Sequence, residues 1–513
     1  MTDKLSFFKK LAMAFKAFRE ADMMASLPDG GDWDDYETRR VRYDILWSLY
    51  ENTTYSNIHS WSQAYRNRYA MYKFTRNLYN PAAREAEFWE QMVWGGSLDL
   101  QEARKGAVPV LLPKENQANE EALRKAITDV WRKSNFALRK DTIPLWGAAL
   151  GDVGIKIVDD RERGIVYSQI IHPSIIKDIE VNNVGWVKRY ELFEKRYDND
   201  GRVVDYAETA ERGVGEDVVF RTFANGKPYA FGDTPAEWVE PYGFIPFVII
   251  QHRDVGLDWG YAEIHKVLSK VREIDDLASK THDQIRKSID PFWLFNFSKP
   301  KKSVAAEGGE NTLDRPQRGR EEVQALYIDK DNASGQALIA SVDLGSALTS
   351  IDKMLSELER ELPELQDDIW TASGDASGEA ISKAREKVGT RVVTRRQAYD
   401  AALVRLHQMA IAIGGHFGYQ NYEGFDLESY KQGKLEHFIN PERPIFQTSK
   451  AGEQSEFMRE LGIIEKMVNV LEMPLETALR ERGWDKVKIK EMFAEKERAI
   501  KLKQEDKIPD VEQ

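Results

Sequence analysis

The sequence contains no cysteine. Disulfides and thiolate metal sites are therefore excluded, which fits a reducing compartment. It also lacks any apolar run of the ~18 residues that a bilayer-crossing helix needs, so no membrane span is expected. Residues 1–20 alternate Phe, Leu and Met with Lys and Arg and have no continuous apolar core of the signal-peptide kind. An amphipathic helix over residues 1–25 is the plain reading, with membrane-surface binding as the alternative. Positive charge is in deficit: 73 Lys and Arg stand against 85 Asp and Glu, a net charge of −12. A protein that grips nucleic acid through its phosphates is usually basic. An acidic balance suits a surface past which a polyanion slides without sticking. Catalytic signatures are missing too. There is no G-x-x-x-x-G-K-[ST] phosphate loop, so no intrinsic nucleotide-hydrolysing motor is expected. Gly213-Val-Gly215 begins like a dinucleotide fingerprint, but Val218 stands where the third glycine belongs. No H-E-x-x-H occurs, and the eight histidines do not pair at ligand spacing. Neither catalysis nor a cofactor is expected.

At 513 residues the chain exceeds one ordinary core, so two to four domains of an α+β protein are expected. Pro28-Asp-Gly-Gly31 breaks the first helix. Residues 34–95 lean to helix and carry Trp47, Tyr50, Tyr55, Trp61, Tyr65, Tyr69 and Tyr72. Aromatic core packing is the simple account, with a base-stacking surface as the alternative. Residues 96–116 read as an irregular link and Asn119 to Lys140 as one helix. From 150 to 255 the pattern alternates, with Val153, Ile155 and Ile157 on one side, so an antiparallel β block is expected. Asp198-Asn-Asp-Gly201 and Asn225-Gly226 are its hairpin turns, and Phe244 to His252 is a buried strand. His172-Pro-Ser174 falls between strands. Asp159, Asp160 and Glu162 could hold a metal ion, and read equally as a polar hairpin tip.

The informative stretch is 260–415. Ile264, Val267, Val271, Ile274, Ala278, Thr281 and Ile285 form a helical stripe. Leu344, Leu348, Ile351, Leu355, Leu358, Leu362, Leu365 and Ile369 repeat at 3.5 residues, a seam for packing helix on helix. Pro363 should kink or end this second run. Between the runs, Phe292 to Phe297 is a strand that Val323 to Ile328 pairs with. The same insert carries Lys299, Lys301, Lys302, Arg315, Arg318 and Arg320, which read either as a solvated loop or as a docking rim. Thr371, Ser373, Asp375 and Ser377 lie in a Gly/Ser/Asp loop, followed by a helix from about Glu379 to Ile413 that Gly414-Gly415 and Gly418 end. Glu364, Asp367, Asp368, Asp375 and Glu379 place five acids in sixteen positions with no Lys or Arg among them. They read as a solvated helix end or as an acidic constriction repeated around a ring. Glu453 to Val470, Pro474 to Arg482 and a charged run, Lys486 to Gln504, read as terminal helices.

The order helix, insert, helix, loop, long helix resembles the core of tailed-bacteriophage portal proteins. Gly374-Asp-Ala-Ser-Gly-Glu-Ala-Ile-Ser-Lys-Ala384 is similar to the Ser-Gly-x-Ala signature that opens that family's long helix. Tyr79-Asn-Pro-Ala-Ala-Arg84, Gly151 to Asp160, Ile171-His-Pro-Ser174 and Pro246 to Asp254 resemble its wing segments. The resemblance implies a portal fold: a wing at 1–258, stem helices at 259–290 and 342–370 and a clip at 291–341. A tunnel loop at 371–379, a wing helix at 380–415 and a crown at 416–513 complete it. It implies a non-enzymatic dodecameric ring at a capsid vertex of the virion, assembled in the host cytoplasm. That ring would transiently conduct double-stranded DNA during packaging and ejection. Its partners would be the major capsid protein, the scaffold protein, the terminase large subunit and a head-completion adaptor. Two other classes stay open: a metal-dependent nucleic-acid-processing enzyme, and a helical adaptor or scaffold protein.

Overall fold

Asp35 starts the first described helix. Its side chain accepts from the Thr38 N–H and caps α1 (Tyr36–Tyr50). The computed structural model describes residues 35–56, 58–59, 61–94, 110–111, 120–213, 215–289, 292–296, 325–328, 334–338, 344–366, 378–440, 443, 445, 450–481 and 493–494. The chain divides into two units, Met1–Ile445 and Phe446–Gln513.

In the first unit, α1 is followed by α2 (Ser62–Arg68) and by α3 (Pro81–Met92), which Asn80 caps with Pro81 in its first turn. Of the aromatic residues expected to pack as core, Tyr55, Trp61 and Tyr65 are buried, whereas Trp47, Tyr50, Tyr69 and Tyr72 are only partly buried; Tyr43, Trp89 and Trp94 are buried as well. Strand β1 (Val110–Leu111) pairs with a short strand far along the chain. Helix α4 (Glu120–Lys133) stops short of the single helix expected from Asn119 to Lys140. Asn135 takes a left-handed conformation, and the Ser134 hydroxyl accepts from the Ser168 N–H, so the chain turns there. After one turn, Phe136–Arg139, helix α5 (Thr142–Leu150) ends at Gly151, whose φ is 103°. A Cβ at Gly151 would stand 2.5 Å from the Gly260 carbonyl oxygen, so this close crossing requires glycine.

The β block is antiparallel, as its alternation predicts. Strands β2 (Asp152–Asp160), β3 (Ile165–Ile171) and β10 (Phe247–Gln251) form one sheet in the order β10-β2-β3. Val153, Ile155 and Ile157 are buried. A second sheet runs β4-β5-β6-β7-β8, with β9 also on β7. Its strands are β4 (Ile176–Val181), β5 (Val187–Tyr197), β6 (Val203–Arg212), β7 (Val218–Ala224), β8 (Lys227–Pro228) and β9 (Glu237–Glu240). Pro173–Ile175, in the His172-Pro-Ser174 connection, is a 3-10 turn. The Asp198–Gly201 turn joins β5 to β6, and Asn225 and Gly226 both take positive φ between β7 and β8.

A 3-10 turn, Glu263–Val267, leads into α6 (Leu268–Ile289). The insert that follows has three strands: β11 (Phe292–Asn296) pairs in parallel with β12 (Ala325–Ile328) and antiparallel with β13 (Ser334–Leu338). Helix α7 (Leu344–Glu361) returns, and the start of α6 meets its end: Lys270 pairs with Glu361 at 2.5 Å and with Glu357 at 3.6 Å. The two helices therefore run antiparallel. Pro363 ends α7, and Pro363–Leu365 is a 3-10 turn. The leucine seam is buried at that end, at Leu358, Leu362 and Leu365, whereas Leu348 is 48% exposed.

Helix α8 (Gly378–His416) has 39 residues, about 58 Å of helix, and packs on β10, β2, β3 and α4. It runs through Gly414 and Gly415 and ends at Gly418, where φ is 67°. The two glycines are there for packing: the Tyr422 ring lies 2.7 Å from where a Gly414 Cβ would be, and the Phe425 backbone covers Gly415. Helix α9 (Leu427–Lys431) and β14 (Phe438–Ile439), the partner of β1, follow. The second unit holds α10 (Lys450–Asn469) and α11 (Leu475–Glu481), packed through Ile464, Ala478 and Leu479. The architecture is α+β, and no helix among the described residues is long and apolar enough to cross a membrane.

The 1–25 helix, the 96–116 link apart from β1, and the 486–504 helix apart from Phe493 and Ala494 lie outside the described residues. So do Asp367, Asp368, Thr371, Ser373, Asp375 and Ser377, together with Lys299, Lys301, Lys302, Arg315, Arg318 and Arg320.

Candidate functional site

The two ends of the α6–α7 hairpin converge on one side of α8, and charged side chains fill the junction. Glu263 comes from the turn before α6, Glu364 from the turn after α7, Glu85 and Trp89 from α3, and Arg391, Arg395 and Tyr399 from α8. His252 enters from the end of β10. Glu263 and Glu364 side chains have no exposure at all, and Glu85 is 1% exposed. Arg391 and Arg395 stand one helical turn apart, so both guanidiniums reach the same carboxylate. Arg395 Nε donates to Glu263 Oε1 at 2.7 Å, and its Nη2 donates to the same oxygen. Arg391 Nη2 donates to Glu263 Oε2 at 3.0 Å, while its Nη1 bonds Glu364. His252 Nδ1 lies 2.7 Å from the Tyr399 hydroxyl, and its Nε2 is 3.5 Å from Glu263.

Burial pushes the Glu263 carboxyl up, but its contacts with His252, Arg395 and Arg391 outweigh that and hold it below the usual range. Burial also lowers His252, so the imidazole is neutral and the guanidiniums carry the positive charge. Burial raises Glu364 against the pull of Arg391. The arrangement can fix two helix ends to a third helix. The hydroxyl that stands beside a base here, Tyr399 on His252, is fully buried, and the carboxylates are closed to a substrate.

Glu364 is thereby separated from the acids it neighbours in sequence. Taken from sequence as part of a solvated or pore-facing acidic group, it is instead internal, 2% exposed and bonded to Arg391. Glu379 lies in the first turn of α8. Asp159 and Asp160 sit at the end of β2, but their carboxylates are engaged separately. Asp159 accepts from Arg161 at 3.0 Å and from the Tyr419 hydroxyl at 2.7 Å, and Asp160 accepts from the Arg163 N–H at 3.1 Å. Glu162 lies in the turn beyond them. Among the described residues no group of three His, Asp or Glu is placed to hold a metal ion.

Sequence spacing missed one pairing of histidines. Trp131 Nε1 donates to His407 Nε2 at 2.8 Å, His407 Nδ1 is 3.0 Å from His437 Nε2, and His437 Nδ1 is 2.9 Å from the Leu435 carbonyl. The carbonyl accepts only, so His437 donates to it and accepts from His407, which accepts from Trp131. Each ring nitrogen is used, and no lone pair remains for a metal. Burial lowers both, His437 to about 4. The hydrogen bonds that join separate elements in these two groups span 27 to 276 positions, so no local motif could have shown them. Compared with known proteins, the chain matches no family model and no curated protein.

Proposed function

We propose that the chain is the subunit of a phage portal: a ring at one capsid vertex through which double-stranded DNA enters and leaves. The observation that carries this reading is the antiparallel α6–α7 pair. It brackets a small three-stranded insert, buries its leucine seam only at one end, and is tied at that end to a 39-residue helix. Leu348 and its neighbours on the open part of the seam need a partner, and a heterologous contact repeated by rotation closes a ring. In this reading α6 and α7 are tunnel wall. Thr371, Ser373, Asp375, Ser377 and Glu379 belong to the constriction beside Asp367 and Asp368. The basic residues Lys299 to Arg320 form the rim that meets the terminase motor and later the head-completion protein. The chain acts without catalysis or cofactor, and major capsid and scaffold proteins are its assembly partners.

Native mass spectrometry with negative-stain imaging tests it. A closed ring of about twelve subunits with a central hole is the expected result. A monomer or dimer that persists when capsid and scaffold proteins are added would overturn the reading in favour of a helical adaptor.

A further inference from the structure

The junction under the helix pair holds three carboxyl groups, from Glu85, Glu263 and Glu364, and two guanidinium groups, from Arg391 and Arg395. Glu263 binds both guanidiniums and Glu364 binds Arg391. Glu85 contacts neither. Its Oε1 accepts from the Trp89 indole N–H at 3.1 Å, and its Oε2 is buried with no hydrogen-bond partner. An ionised carboxylate in that position would be a buried charge with one empty oxygen, which is strongly unfavourable. With a proton on Glu85 the charges balance, two against two.

Other charged and titratable groups face the junction without bonding Glu85, and Lys266 lies near enough for its charge to act on Glu263 and Glu364. On α3, Arg84 donates to the Leu365 carbonyl at 3.0 Å. Before α6, Lys266 is exposed and donates to the Glu361 carbonyl at 3.0 Å, and His252 is neutral. On α8, burial keeps the Tyr399 hydroxyl protonated, and Arg396 donates to the Met92 carbonyl at 2.9 Å.

We propose that Glu85 is carried as the neutral acid and that its proton holds the Pro363–Leu365 turn on α8, forming a pH-sensitive latch. The proposal stands apart from the portal reading. Burial, then the Glu364 and Glu263 carboxylates, push Glu85 well above the ordinary range. Loss of the proton brings a third negative charge into the junction. Glu263 is held by two arginines, whereas Glu364 shares one of them and sits on a three-residue turn. Glu364 is therefore the group released, and the end of α7 loosens from α8.

Thermal unfolding of the full chain against pH, wild type beside Glu85→Gln, tests the latch. The amide imitates the neutral acid in shape but cannot ionise. Because the folded value lies above the unfolded one, the proton's contribution is complete below the ordinary carboxylate range and is lost as pH rises through the folded value. The wild-type Tm should therefore fall relative to the variant as pH rises above the ordinary carboxylate range, the gap widening by roughly 1–2 °C per pH unit. Hydrogen exchange over 358–366, taken relative to the intrinsic base-catalysed rate, should lose protection as pH rises in wild type and not in Glu85→Gln. Parallel profiles, or a gap that narrows as pH rises, would overturn the proposal. If the variant does not fold, infrared spectra of the wild type with isotope-labelled glutamate decide. A protonated-carboxyl band at pH 7 that vanishes on unfolding is expected, and its absence overturns the idea. The label separates Glu85 from Asp152 and Asp275, which burial pushes up to about 7, and persistence of the band in Glu364→Gln separates it from Glu364.

Discussion

Gly389 and Gly415 lie in the same helix, and one methyl group added to each should act in opposite directions. Replacing glycine by alanine within a helix stabilises by about 0.5–1 kcal/mol through chain entropy alone. At Gly389 the added Cβ would meet only Ile445 Cδ1, at 3.7 Å, an ordinary contact, so the gain is kept. At Gly415 it would lie 2.5 Å from the Phe425 carbonyl carbon, nearer still to its oxygen, and 3.1 Å from the Asp426 nitrogen. These are backbone atoms with little freedom. Asp426 caps α9 in a reciprocal pair with Ser429, and turning the peptide away would sacrifice a cap worth about 1 kcal/mol. Overpacking of this kind costs about 1–3 kcal/mol. With up to about 1 kcal/mol of helix propensity set against clash and cap together, Gly415→Ala should lose about 2 kcal/mol net. Urea unfolding followed by tryptophan fluorescence compares the two variants with wild type. A Gly415→Ala protein as stable as Gly389→Ala would refute the close crossing of α8 by the Phe425 backbone.

The junction and the β block give two further expectations. Arg395→Met leaves Glu263 with one guanidinium in a fully buried site and should cost about 3 kcal/mol. Adding Glu263→Gln should recover part of that loss, and a strictly additive double mutant would show that the two groups do not interact. Glu208 is buried, which raises it, yet Lys156, Tyr190 and Tyr206 hold it below the usual carboxylate value. Its stabilisation is present above the ordinary carboxylate range and is lost as pH falls through the depressed folded value. Glu208→Gln should therefore lose about 2 kcal/mol at neutral pH, and its deficit should shrink in acid; a deficit that is constant with pH would contradict the pairing.

Local patterns predicted much of this fold. The alternation at Val153, Ile155 and Ile157, the Asn225-Gly226 turn, the two helical stripes and the break at Pro363 each follow from a few adjacent residues. The errors came where a distant contact overrode a local preference. The helix expected through residue 140 is broken where Asn135 takes a left-handed conformation, beside the bond from the Ser168 N–H to the Ser134 hydroxyl. Gly414-Gly415 read as a terminator but serves the packing of Tyr422 and Phe425. Glu364 read as solvated because its arginine lies 27 positions away. Charge in a sequence carries no mark of burial; only the assembled junction supplies it. The loop acids and rim bases fall largely outside the described residues, so their grouping rests on sequence.

The long reach of α8 has a consequence for how the chain is made. Arg396 bonds the Met92 carbonyl across 304 positions, Arg443 bonds that of Val93 across 350, and Trp131 meets His407 across 276. Synthesis at ~5–20 residues per second delivers those partners roughly 14–70 s after the segments they bond. Trp89, Trp94 and Trp131 must wait on the nascent chain with their permanent lid not yet translated. Non-local closure of this kind is slow and exposed to aggregation. A ribosome pausing before residue 378 would hold an unfinished core.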